Sequence, residues 1–163
     1  MSLVKRLVLT AGIMALAPGL ADATTTTANL GVTLTVGATC TLVGGTIAFG
    51  NASVLTSPIP ANGTLTVNCS NTTPFTVGLD QGLHGGSVTT RQMLSPTTAA
   101  LVNYSLTQDA GHATNWGNSV GAWVAGTGAG VVQTITVYGL VAGQATPAPA
   151  ADYADTVTIT LTY

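Results

Sequence analysis

The chain has 163 residues, enough for one domain with its own core, and only 5% of them are charged, against about 25% in an ordinary soluble domain. There is no glutamate, the only lysine is Lys5, and the only arginine after residue 6 is Arg91. Nucleic-acid binding needs clustered cations to displace counterions, which one arginine cannot supply. So little charge also removes the repulsion that keeps copies of a soluble monomer apart, which suits permanent assembly.

Residues 1–23 read as a secretory signal peptide. Lys5 and Arg6 open it, an apolar run follows from Leu7 to Leu20, and Ala21-Asp22-Ala23 gives a small-x-small cleavage pattern. The run is shorter than the ~20 apolar residues of a membrane span, and no later stretch qualifies, so no integral span is expected. The remaining chain carries Asp80, Asp109, Asp152 and Asp155 against Arg91, four negative charges and one positive, a net −3.

After the leader the period is two, rich in Thr and Val, which predicts strands. Residues 24–36 begin with a Thr run and continue with Leu30, Val32, Leu34 and Val36 in strict alternation. Such a strand on a free edge invites aggregation, and neither charge nor proline blunts it. It is either the first strand of a self-contained sandwich or a strand added to another copy. Cys40 comes next, then a run through Ile47 and Phe49. Leu65, Val67 and Cys69 share a face, as do Phe75, Val77 and Leu79, then Val102, Tyr104 and Leu106, then Ile135 and Val137. Val157, Ile159, Leu161 and Tyr163 form the last strand. The sequence stops inside it, so its edge is expected to need a partner.

Gly44-Gly45, Pro58-Ile59-Pro60, Gly85-Gly86, Gly126 to Gly130 and Pro147 to Ala151 carry turn chemistry, and 109–130 reads as a surface loop. The pattern indicates an all-β sandwich or barrel. In an exported protein the lone pair Cys40 and Cys69 forms one disulfide. It closes a loop of about 30 residues and is worth roughly 3–4 kcal/mol. Two cysteines with His84 and His112 lack zinc-ligand spacing, so no metal or cofactor is expected.

In order and spacing several segments resemble subunits of archaic, Csu-type chaperone–usher pili, the spore coat protein U family. They are Ile47-Ala48-Phe49-Gly50, Val67-Asn68-Cys69-Ser70, Arg91-Gln92-Met93, Tyr104-Ser105-Leu106, Trp116-Gly117, Val137-Tyr138-Gly139 and the run from Tyr153 to Leu161. Thr107 and Ala151 depart from the family pattern, where an aromatic and a glycine are usual. The resemblance implies an incomplete immunoglobulin-like β-sandwich, 37–163, lacking its last strand, with a donor-strand arm at 24–36. The inserted side chains would be Leu30, Val32, Leu34 and Val36. The acceptor groove would be edged by Phe49, Val157, Ile159 and Leu161, and Cys40–Cys69 would match the family disulfide. A periplasmic chaperone, an outer-membrane usher and other copies of the chain are the implied partners, and a fimbrium at the cell surface, serving attachment and biofilm formation, is the implied location.

Catalysis finds no support. The histidines lie in glycine-rich loops, the aspartates are scattered, and Gly126 to Gly130 lacks the lysine and helix of a phosphate loop. Asp155 is expected to hydrogen-bond the turn before the last strand, and Arg91 to pair with an aspartate or cap carbonyls. Trp116 and Trp123 flank a polar loop and are expected to pack in the core or against the loop; the alternative to a shaft subunit is a surface adhesin or carbohydrate-binding module that uses them as exposed loop tryptophans.

Overall fold

The computed structural model describes residues 23–163. The leader reading therefore falls, but for Ala23, outside the described residues. Contacts divide the chain after Thr35. In the first unit residues 23–35 adopt no regular secondary structure, and Leu30, Val32 and Leu34 are 85–89% exposed. The alternation predicts a strand here, and the isolated chain forms none. A strand exists only against a ladder partner, because its N–H and C=O groups must be answered by a neighbour.

The second unit, Val36–Tyr163, carries eight strands: β1 (Cys40–Val43), β2 (Ile59–Cys69), β3 (Pro74–Leu79), β4 (Arg91–Leu94), β5 (Leu101–Thr107), β6 (Val124–Thr127), β7 (Gln133–Val141) and β8 (Ile159–Thr162). One sheet has the order β1-β2-β7-β5-β4 and the other β6-β3-β8, and every pairing is antiparallel. The two sheets make an immunoglobulin-like β-sandwich. Leu65, Val67 and Cys69 of β2, Phe75, Val77 and Leu79 of β3, and Val102, Tyr104 and Leu106 of β5 are all buried. These are the period-two positions that point to one face, and together they form the core.

Three sequence expectations need correction. Ile59 and Pro60 lie inside β2, where Pro60 sits opposite Leu140. Its missing N–H is tolerated because β1 pairs with β2 only at the far end, opposite Thr66 to Cys69. The stretch 109–130 is not all surface loop, since it contains β6 and the fully buried Trp116. The run through Ile47 and Phe49 is not a strand. After Val43 the chain passes Gly44 and Gly45, and a Cβ on Gly45 would stand 2.0 Å from the Thr64 carbonyl oxygen. Only glycine permits that approach. Ile47 and Phe49 then drop into a hollow over Gly63 and Gly139, where added Cβ atoms would lie 2.5 Å from Ile47 and 3.0 Å from Phe49.

Candidate functional site

β8 pairs with β3 along one edge, and no described strand pairs with its other edge. Among the described strands β1 likewise pairs only with β2. Between the β8 edge and the segment that follows β1 the sandwich is open. A cleft of about 450 Å³ lies there, floored by Leu65, Leu79, Leu106 and Val137 and walled by Ile47, Phe49, Val157 and Ile159. A second cleft of about 780 Å³ shares Ile47, Phe49, Met93 and Tyr153 with the first and continues towards Leu55, Ile59, Val102 and Val141. Its outer wall is the Pro147–Ala151 stretch.

Of the four residues expected to edge a groove, Phe49, Val157 and Ile159 line the first cleft. Leu161 is half-buried on the same face of β8 and packs against the core. The cleft residues that sequence reasoning missed, Met93, Leu106, Val137 and Tyr153, come from four separate segments. Alternation marks Leu106 and Val137 as inward-facing, but only the absence of a covering strand turns inward-facing positions into a cleft lining.

One end of the cleft is polar. Asp155 lines it, accepting the Tyr104 hydroxyl (2.6 Å) on one carboxylate oxygen and the Leu83 N–H (2.9 Å) on the other. Gly82 makes this possible. It has φ +78°, and an added Cβ would sit 2.0 Å from that carboxylate. Burial, then the hydrogen bond to Asp155 and that carboxylate's charge, push the Tyr104 phenol well above its ordinary value, so the hydroxyl stays a donor. Burial also raises the Asp80 carboxyl. The Gly82 and Thr158 N–H groups it binds, with the Arg91 charge, outweigh that and hold it below the ordinary carboxylate value.

Arg91 is fully buried behind this end. It donates to the carbonyls of Asp80 (2.8 Å), Val88 (2.8 Å), Leu79 (3.0 Å) and Trp116 (2.8 Å). It therefore caps carbonyls, one of its two expected roles. The segment 152–154 is tied to β4 by paired backbone hydrogen bonds between Leu94 and Ala154, and Asp152 accepts the Ser95 hydroxyl (2.6 Å).

Cys40 and Cys69 are disulfide-bonded and directly opposite in the β1–β2 ladder. Val36, at the start of this unit, is 80% exposed. The reading of exposed loop tryptophans is overturned at Trp116. Its ring is wholly buried and its indole N–H donates to the Val77 carbonyl (2.8 Å), so it is a core residue. Trp123 is half-buried. His84 is exposed, and the His112 ring meets the Thr107 hydroxyl at 3.1 Å.

The sequence profile of the Spore Coat Protein U domain matches residues 26–160. Protein U of Myxococcus xanthus is 31% identical over 169 residues, which cover 94% of this chain and 92% of that protein. Among solved structures, the chain is similar to one in the CsuC–CsuE chaperone–tip adhesion subunit pre-assembly complex from archaic chaperone–usher Csu pili of Acinetobacter baumannii. The TM-score is 0.53 at 21% identity. That likeness covers 79% of this chain and 41% of the matched one, and it concerns the fold.

Proposed function

The chain belongs to the Spore Coat Protein U domain family, and from that premise we propose that it is a structural subunit of a surface pilus, joined to its neighbours by donor-strand complementation. In this reading residues 24–36 of one copy fill the cleft of the next. A periplasmic chaperone occupies the cleft beforehand, an outer-membrane usher directs the exchange, and the finished fibre serves attachment and biofilm formation. The observation that carries it is the unpaired edge of β8 beside an apolar cleft, in a chain that also holds an unpaired, alternating apolar arm.

The energetics suit a lasting link. Leu30, Val32, Leu34 and Val36 are 80–89% exposed in the free chain. Burying four such side chains gives about 6–12 kcal/mol, and two new backbone ladders add to it. Release requires all of this to be lost together.

The test is deletion of residues 24–36 from the full chain, expressed with its export machinery. The intact chain is expected to give multimers that survive SDS and collapse on boiling, and the shortened chain only monomer. Multimers from the shortened chain overturn the reading.

A further inference from the structure

The proposed function leaves open which residue of the arm meets which residue of β8, and the cleft carries the means to decide it. Val157, Ile159 and Leu161 face inward in alternation, and the next inward position towards the N-terminus is Asp155. Both oxygens of this carboxylate already hold one donor each. A Val or Leu side chain pressed against it would strip its remaining water and return no hydrogen bond, which is unfavourable. The track on the β8 side is therefore apolar for three steps and then interrupted by a charge, with the second cleft continuing beyond it past Tyr153. On the arm, the apolar steps are Leu30, Val32, Leu34 and Val36, and the next position of the same parity is the small Ala38.

Direction follows from the ends of the body. The Thr39 N–H donates to Ser70, and Cys40 is bonded to Cys69, so the root of the arm sits at the Cys69 end of β2. The Ser70–Thr73 turn leads from there to the start of β3, whose Thr76 pairs with Thr162 of β8. The root and the C-terminal end of β8 thus share one pole, and Asp155 lies towards the other. An arm running parallel to β8 would bring its root against the recipient's own root. An antiparallel arm leaves at the Asp155 pole and lets copies follow head to tail. All the sheet pairings already present are antiparallel as well.

Resting on the donor-strand reading, we propose that Asp155 is a register stop. Val36 of one copy lies opposite Val157 of the next, Leu34 opposite Ile159 and Val32 opposite Leu161. Ala38 then stands at Asp155, and Thr33 and Thr35 face Thr160 and Thr158, pairs that hydrogen-bond across strands. A shift of two in one direction puts Val36 on the carboxylate. A shift of two in the other brings Cys40, which is held in β1, opposite Asp155.

Paired cysteines in the full chain test this, with multimers oxidised after assembly and run on non-reducing gels. Thr33→Cys with Thr160→Cys is expected to give a reductant-sensitive covalent ladder. The shifted pairs, Thr33→Cys with Thr158→Cys and Thr35→Cys with Thr160→Cys, should give about tenfold less, because diagonal neighbours stand beyond disulfide reach. Adding Asp155→Val removes the stop, and the Thr33–Thr158 pair is then expected to link. Preferential linkage through a shifted pair, or none through any pair in multimers that do form, overturns the register. An unchanged pattern with Asp155→Val overturns the role of the carboxylate. Absence of SDS-resistant multimers even from the unaltered chain overturns the subunit reading itself, and the register with it.

Discussion

Arg91 holds together segments that no single ladder joins. Its four carbonyl partners come from the end of β3, the loop after it, and the Trp116 segment. Replacing it with Met leaves those buried oxygens without donors at about 1–3 kcal/mol each. Arg91→Met is therefore expected to destabilise the folded chain by at least about 3 kcal/mol in a denaturant titration. Arg91→Lys should recover little of it, because an ammonium is a point charge and cannot span four acceptors as the guanidinium fork does. Asp80 beside it gives a pH signature. Its carboxyl titrates lower folded than unfolded, so its stabilising contribution is present above the ordinary carboxylate value and is lost as pH falls through the folded one. Thermal stability is expected to drop below about pH 4, and to drop less in Asp80→Asn. The sequence offered Arg91 two roles and could not choose, since the choice depends on where Trp116 lies. Packing of Trp116 was expected, but its glycine and polar neighbours give no period that would place it in the core rather than against a loop.

The long strands and the short last one, β8, were readable, and the short β4 and β6 were not. β2, β3, β5 and β7 each present three or more apolar residues at period two or pack such residues against a neighbour, so local pattern and burial agree. β4 and β6 have four residues apiece, too few for a period, and owe their existence to the strands they pair with. The hollow that takes Ile47 and Phe49 depends on Gly63 and Gly139, which lie far apart in sequence and adjoin only through the β2–β7 register. Gly63→Val would fill it and evict Ile47. Overpacking of this kind costs about 1–3 kcal/mol, and a lowered unfolding midpoint is the measurement. The disulfide acts on an element too, pinning β1 to the end of β2. Changing Cys40 and Cys69 together to Ser is expected to lower stability by about 3–4 kcal/mol, against no effect from reductant in the same variant.

For the whole molecule, the alternating arm and the alternating last strand were visible in the sequence, and the cleft between the sheets was expected only through the family resemblance. A cleft is a relation between edges, and only the strand order shows that β1 and β8 are both left open. This separation of arm from body has a measurable outcome. Leu34 is 86% exposed, so Leu34→Asp should leave the unfolding midpoint of the chain within about 0.5 kcal/mol of the original. The same change should abolish SDS-resistant multimers, because it would bury a charge in an apolar cleft.

Burial of the one arginine reaches beyond folding. From residue 23 onwards Arg91 is the sole Lys or Arg, and none of its surface is accessible. Trypsin and every other protease that cuts after a basic residue find nothing to grip on the native body, however long they are left with it. Digestion there has to wait for opening of the body, so the cleavage rate counts the unfolded fraction.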